Sequence, residues 1–283
     1  MALKKCEFLV CPIDDSLLTR TGSSYGCEQG HNFDVAKQGH INLLPVQHKR
    51  SRAPGDNQVM VAARKRFLDS GAYEGIAKKL VMRVCTVNDA GTLSVLDAGC
   101  GEGYYLAYLR EHLSLLLPDI DQCFCGVDIS KPAIIAAAKR DRAITWVVGS
   151  NKQLPIQAQS MDAVICMFGF PNFEMFKKVL KPEGQVILID PNTEHLIELR
   201  TLLYDEVRKG KLPSHDEALA FGFKVSETSD VTYQAQLSSS QQIVDLAMMT
   251  PHYFRAKQEA KDKLGQMDAL KVTVSVGIKT FSL

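Results

Sequence analysis

Residues 93–103, LSVLDAGCGEG, decide how the rest of the chain is read. Leu93, Val95 and Leu96 make a short apolar run, Asp97 closes it, and Gly99, Gly101 and Gly103 follow in a turn. The helical-looking YYLAYLREHL comes next. Strand, glycine turn and helix in that order open a nucleotide-type cofactor site in a parallel α/β sheet. Glycine lets the backbone come close to a ligand and leaves the helix N-terminus uncovered. The dinucleotide fingerprint G-x-G-x-x-G would need a third glycine at 104, and that position is Tyr104.

The pattern that remains, D-x-G-x-G-x-G from Asp97, resembles the first motif of the S-adenosylmethionine-dependent methyltransferases. The chemistry agrees. This cofactor has no pyrophosphate for a helix N-terminus to hold, and it carries a sulfonium and an amino-acid group beside which a carboxylate is useful. Downstream, QCFCGVDIS predicts a second strand ending in Asp128, where an acid can accept both ribose hydroxyls. KPAIIAAAKR predicts a helix and ITWVVGS a third strand, with Ser150 and Asn151 placed to bracket an adenine. The Asp162-led apolar run predicts strand four. FEMFKKVLKPEGQVILIDP predicts a helix, a turn and strand five, and NTEHLIELRTLLYDEVRKG a further helix. GFKVSETSDVTYQAQLS and ALKVTVSVGIKTFSL alternate as an antiparallel pair at the sheet edge, separated by a helical stretch.

The chain has 283 residues, 46% of them hydrophobic and 23% charged, enough for one large domain and a small one. No apolar run approaches the roughly 18 residues of a membrane span, and the N-terminal apolar patch is too short for a signal peptide. Eight irregularly spaced cysteines without a secretory signal point to a reducing compartment, the cytoplasm. The net charge is only +1. Its distribution is uneven, because Lys49, Arg50, Arg52, Arg64, Lys65 and Arg66 face Asp56 alone between Val46 and Arg66. Such a patch serves either as an RNA footprint or as a solvated linker face.

The first forty residues are too few and too polar to hold a core by burial, so a metal is expected. Cys27-x3-His31 makes one good ligand pair. The other pair is defective, since C-x2-C from Cys11 lands on Asp14. Asp14 can ligate through oxygen, Cys6 can replace it through a longer loop, or the metal has been lost. Ile41, Leu43 and Leu44 form an apolar knot, and APGD closes this unit. From Met60 to Val84 helical spacing predicts two helices joined at SGAYEG, with Tyr73 in the joint. The expected organisation is a zinc-ribbon-like module with a basic linker, a candidate for RNA recognition, over 1–58 and a methyltransferase domain over 59–283.

The segment CEQGHNFDVAKQGHINLLPVQHKRSRAPGD, followed by FLDSGAYEGI, LDAGCGEGYY, GVDISK, KPEG and EHLIELRTLLYDEV, resembles the bacterial 23S rRNA (guanine-N1)-methyltransferase family, of the large-subunit rRNA methyltransferase A type. The likeness runs from Cys11 to about residue 255. It implies an α/β protein: a Rossmann-like class I methyltransferase domain with a small N-terminal zinc-binding module. It also implies methylation of N1 of a guanine in a hairpin loop of 23S rRNA, with S-adenosyl-L-methionine and Zn2+ as cofactors. The family's zinc ligands fall on Cys11, Cys27 and His31, with Asp14 where a cysteine is usual. Its cofactor contacts fall on Tyr73, Gly101, Glu102 and His195, beside the Asp97, Gly99 and Asp128 read above. The likeness is compatible with a homodimer.

Guanine N1 must lose a proton, and His48, Asp190 and the HKRSR cluster are candidates to accept it or stabilise charge, as is water. Phe168 and Phe170, just after strand four, are placed either to stack a flipped base or to pack the core. A small-molecule methyltransferase of quinone or metabolite type would share the glycine motif, but it needs neither the basic stretch nor a metal module.

Overall fold

The computed structural model describes residues 7–45, 54–87, 91–207 and 212–283. Cys6 and the run from His48 to Arg52 lie outside the described residues. The chain enters through three short strands, β1 (Thr19–Thr21), β2 (Ser24–Gly26) and β3 (Asn32–Asp34), paired antiparallel in one ribbon. Strand β4 (His40–Asn42) follows, then helices α1 (Gln58–Asp69) and α2 (Glu74–Val84) on either side of Tyr73. The helix pair expected from spacing is present. Asn57 caps α1 by accepting from the Val59 and Met60 amides, 3.0 Å each, which satisfies two donors a helix start leaves open.

The glycine motif then opens the alternating part: β5 (Thr92–Ala98), α3 (Tyr104–Leu116), β6 (Asp121–Asp128), α4 (Lys131–Arg140), β7 (Thr145–Val148), β8 (Met161–Met167), α5 (Phe173–Val179) and β9 (Leu180–Pro191). The last part is α6 (Ile197–Leu203), α7 (Asp216–Ala220), β10 (Lys224–Leu237), α8 (Ser240–Met248), α9 (Pro251–Arg255), α10 (Gln258–Gly265) and β11 (Leu270–Ser282). Eight strands form one sheet in the order β10-β11-β9-β8-β5-β6-β7-β4. The pairs from β4 to β9 are parallel, and β11 runs antiparallel to both β9 and β10.

Leu93 to Ala98 are all buried, and Val95 and Leu96 fall in separate core clusters on the two faces. A strand covered on both faces reads as a near-continuous apolar run, as this one does. From β5 the chain winds outward to β7 and then returns to β8 on the other side of β5. That reversal creates a crevice at the C-terminal ends of β5 and β8, where open α/β sheets bind ligands.

Three features depart from expectation. β4 leaves the ribbon and pairs in parallel with β7 through His40–Trp146, Ile41–Val147 and Asn42–Val148. The apolar knot of Ile41, Leu43 and Leu44 is thus buried against the main sheet, and the N-terminal segment is bonded to it again where the Val10 amide donates to Pro155 O at 3.1 Å. Among the described residues, the helix expected over 192–210 is confined to α6, because Leu196 has φ 54 and the backbone turns extended at Tyr204. The helical stretch after β10 is cut into α8, α9 and α10, Pro251 opening the second piece, as a residue without an amide hydrogen does at a first helical turn.

Candidate functional site

Two groups of side chains stand out: a crevice at the C-terminal ends of β5, β6 and β8, and a donor cluster in the N-terminal segment. The crevice is built on the glycine turn. Gly99, Gly101 and Gly103 have φ of 102, 55 and 82. The first and last do different work. A Cβ at Gly103 would meet the Trp146 ring at 2.7 Å and Ala137 Cβ at 2.8 Å, so this glycine lets α3 pack on the sheet. A Cβ at Gly99 would meet only Asn151 Nδ2, at 4.0 Å. Gly99 therefore faces open space on the crevice side, as a backbone cradle for a ligand requires.

Asp128 closes the turn. Its Oδ2 accepts from the Gly101 amide at 2.9 Å and its Oδ1 from the Ser130 amide at 2.7 Å. Burial pushes its carboxyl upward against these donors. Asp97 is only 3% exposed, and its Oδ1 has no hydrogen-bond partner among the described residues. Burial first, and the charge of Asp128 second, push its carboxyl up to about 8. A buried oxygen without a donor, beside an open glycine and a second carboxylate, fits a ligand carrying positive charge and N–H or O–H donors. Adenosylmethionine has these groups, so the residues present fit the cofactor. Asn151 donates to Ala98 O at 3.1 Å and is held in turn by Asn172, whose Nδ2 donates to Asn151 O at 3.0 Å.

Residues far apart in sequence close the other side of the crevice. The Ser275 amide donates to His195 Nδ1 at 3.2 Å. Nδ1 is thereby the acceptor, Nε2 carries the hydrogen, and Tyr73 OH receives it at 3.2 Å. Burial, then the charge of His252, pull His195 down to about 4, so the ring is neutral at physiological pH. Phe168 completes the group, its ring centroid 6.5 Å from Tyr73 and 6.0 Å from His195. Phe168 has φ 50, a left-handed conformation rare for a bulky residue and one that clusters at ligand sites. Phe170, two residues on, is 92% exposed. Glu102 is placed differently. It is 1% exposed; its Oε2 takes Arg140 Nε at 2.9 Å and NH2 at 2.6 Å, tying the turn to α4, while its Oε1 has no hydrogen-bond partner among the described residues. Asp190, at the end of β9, pairs with His215 Nε2 at 3.0 Å. Burial pushes the Asp190 carboxyl up, and His215 opposes that shift.

The N-terminal cluster joins Cys11, Asp14, Cys27 and His31, whose donor atoms all lie within 4.8 Å of one another. His31 Nδ1 is 2.9 Å from Asp14 Oδ2, 3.4 Å from Cys27 Sγ and 3.5 Å from Cys11 Sγ. Two turns present these groups, closed by the Asp15 amide on Cys11 O at 2.9 Å and the Gly30 amide on Cys27 O at 3.0 Å. Ser16 takes Asp14 Oδ1 through its amide at 2.9 Å, which holds the carboxylate ionised and leaves Oδ2 turned to the cluster. Two thiols, one imidazole nitrogen and one carboxylate oxygen fit four-coordinate zinc. Asp14 stands in the cluster, and Cys6, the alternative fourth ligand, is outside the described residues. Ser16 was not legible beforehand, because its role depends on which carboxylate oxygen faces the cluster.

Fold and site together define a class I S-adenosylmethionine-dependent methyltransferase bearing a zinc ribbon. A family model described as RlmA, N-terminal, matches residues 9–52, and one described as Methyltransferase domain matches residues 95–184. A putative 23S rRNA (guanine-N(1)-)-methyltransferase, YxjB, of Bacillus subtilis (strain 168) is 27% identical over 273 residues, covering 95% of this chain and 94% of that protein. The 23S rRNA (guanine(748)-N(1))-methyltransferase of Streptomyces fradiae is 32% identical over 195 residues, covering 68% of this chain and 66% of its own length. A demethylmenaquinone methyltransferase of Thermotoga maritima is 28% identical over 142 residues, 46% of this chain and 57% of its own. The chain belongs to the RlmA-type family of 23S rRNA (guanine-N1)-methyltransferases.

Proposed function

We propose that the protein methylates N1 of a guanine in a hairpin loop of 23S rRNA, with residues 1–58 gripping the RNA and 59–283 carrying the reaction. The observation that supports this most is the coexistence of the Cys11–Asp14–Cys27–His31 cluster with the Asp97–Gly103 and Asp128 crevice in a chain of this family. The runner-up, methylation of a quinone or metabolite, would explain the crevice and leave the zinc module without a purpose. S-adenosylmethionine, when bound, supplies an activated methyl group. Tyr73, Asp97, Gly99, Gly101, Glu102, Asp128 and His195 are the proposed cofactor residues. Of these, Asp128 addresses the ribose, Gly99 leaves room for the methionine part, and Tyr73 with neutral His195 walls the reacting end. Glu102 has one carboxylate oxygen held by Arg140 and the other without a partner among the described residues.

A guanine paired in a stem hides N1, so the target base must be presented unpaired. Exposed Phe170 offers it a stacking face at the mouth of the crevice, with Phe168 beneath. In-line displacement demands alignment of N1 with the methyl group, so holding the base supplies much of the rate. The N1 proton must leave, and Asp190 is the described candidate to accept it. Its desolvated carboxyl, paired with His215, stands one residue beyond Ile189, the partner of Met167 at the end of β8. His48 and the basic run, outside the described residues, are assigned to the RNA backbone.

The proposal places the protein in the cytoplasm as a homodimer. No helix among the described residues is long and apolar enough to cross a membrane. Primer extension on 23S rRNA tests the reaction, because N1-methylguanine cannot pair and stops reverse transcriptase. A stop that vanishes with the gene and returns on incubation with protein and cofactor is expected. Read-through after incubation with folded, cofactor-binding protein refutes the assignment, and sedimentation decides the dimer.

A further inference from the structure

We propose that Arg64 receives the carboxylate of the cofactor's methionine part; this rests on the cofactor reading above and assigns it a residue outside the glycine motif. Arg64 projects from α1 over the glycine turn. A Cβ at Gly101 would lie 3.5 Å from Arg64 NH1 and 4.0 Å from its Cδ, so the guanidinium covers the part of the turn that carries no side chain. It also acts on the acids of the crevice, its charge opposing the upward push of burial on both Asp128 and Glu102.

The ligand itself supplies the second half of the argument. Adenosylmethionine presents two positive groups, sulfonium and ammonium, and one carboxylate. Asp97 and Asp128 suit the positive groups and the ribose hydroxyls, but acids cannot hold a carboxylate. That group needs a cation, and a guanidinium with its planar fork of donors is the side chain that matches a carboxylate best. Arg140, the other guanidinium on Glu102, is already occupied by Glu102 and Asp69. Arg64 is less committed. It pairs through NH1 with Asp56 and reaches Met249 O from NH2 at 3.5 Å, the outer limit of a hydrogen bond. A guanidinium has five donors, so several remain for a ligand.

Asp56 is itself fixed at the lip of the crevice. Ser130 Oγ donates to Asp56 O at 2.6 Å, and a Cβ on neighbouring Gly55 would touch the Ser130 amide nitrogen at 3.0 Å. Gly55 and Asp56 are therefore seated on the β6–α4 connection that also carries Asp128. Asp56 orients Arg64 from this seat, as a carboxylate beside a carboxylate-binding arginine does.

The test is calorimetry on the full-length protein with two ligands: S-adenosylhomocysteine, and its decarboxylated analogue S-adenosyl-3-thiopropylamine, which lacks only the carboxylate. Wild type is expected to favour S-adenosylhomocysteine by about 10-fold to 100-fold, the range of a hydrogen bond to a charged group. In Arg64→Gln that preference should collapse to within about 3-fold, with affinity for the analogue unchanged. Equal loss for both ligands, or no loss for S-adenosylhomocysteine, overturns the proposal. Wild type binding both ligands alike overturns it while leaving the cofactor reading intact; wild type binding neither overturns both. If Arg64→Gln unfolds, Arg64→Lys decides on the same ratio, since it keeps the charge and loses the fork. The ratio falls if the carboxylate sits on the guanidinium and stays at the wild-type value otherwise.

Discussion

Two glycines of one motif should fail in opposite ways when replaced by alanine. Gly99 and Gly103 both have positive φ, 102 and 82, so an added Cβ costs each about 1–3 kcal/mol of backbone strain. Only Gly103 adds a collision. Its Cβ would stand 2.7 Å from the Trp146 ring, 2.8 Å from Ala137 Cβ and 3.2 Å from Ala137 Cα, all in the buried core. Such overpacking typically costs a further 1–3 kcal/mol or so. Gly103→Ala should thus lose roughly 2–6 kcal/mol in stability and Gly99→Ala roughly 1–3. At about 2–4 °C per kcal/mol for a chain approaching this size, Gly103→Ala should melt roughly 2–12 °C below Gly99→Ala. Ligand binding should rank the other way. The Gly99 methyl would occupy the crevice, and affinity for S-adenosylhomocysteine should fall tenfold or more, about 1.4 kcal/mol at least. Folded Gly103→Ala should bind within a few-fold of wild type. Thermal melts with calorimetry on both variants decide the matter. Equal stabilities, or wild-type binding by Gly99→Ala, would refute the division of labour.

Asp97 leads to a pH prediction. With its folded carboxyl raised to about 8 and an unfolded value near 3.9, its contribution to stability is full below about 4 and is lost as pH rises through 8. Denaturation curves of wild type should show this fall, and Asp97→Asn should flatten it; parallel curves would sink the reading. A ligand bearing an ammonium favours the ionised form, so binding at pH 7 should release close to one proton, seen as a buffer-dependent calorimetric enthalpy. For the metal, one zinc per chain is expected by elemental analysis. Ser16→Ala, which frees Asp14 Oδ1, should weaken zinc in chelator competition by about 10-fold to 100-fold, while Cys6→Ser leaves it unchanged; the converse would make Cys6 the ligand. Phe170→Ala should lower kcat/KM for rRNA by about 5-fold to 150-fold, the value of one lost stacking contact, with affinity for S-adenosylhomocysteine preserved. A change in cofactor affinity instead would place Phe170 in the wall of the cofactor site.

What the sequence determined by itself is what local chain chemistry specifies. A buried strand, an acid, a glycine turn and a helix are contiguous in 93–116, and their order allows few other outcomes. Cys27 and His31 are four residues apart in one turn, so their convergence was legible, as were the helix pair around Tyr73 and the antiparallel strands at the C-terminal end. The tertiary structure decided everything that depends on partners distant in sequence. β4 is three residues long, and nothing in HIN announces that its partner is Thr145–Val148; pairing so short is selected only when Ile41 and Leu43 find the sheet face beneath them. Tyr73 and His195 meet across 122 positions, and the ring tautomer is set by the Ser275 amide. The family likeness counts Glu102 among the cofactor residues, and only the tertiary structure shows Arg140 on one of its carboxylate oxygens, since a charge that is 1% exposed must be paired. Arg64 read as one more cation in a basic patch. Only the docking of α1 over Gly101 sets it at the crevice, because the reach of a long side chain is fixed by where its helix packs and not by its neighbours in sequence.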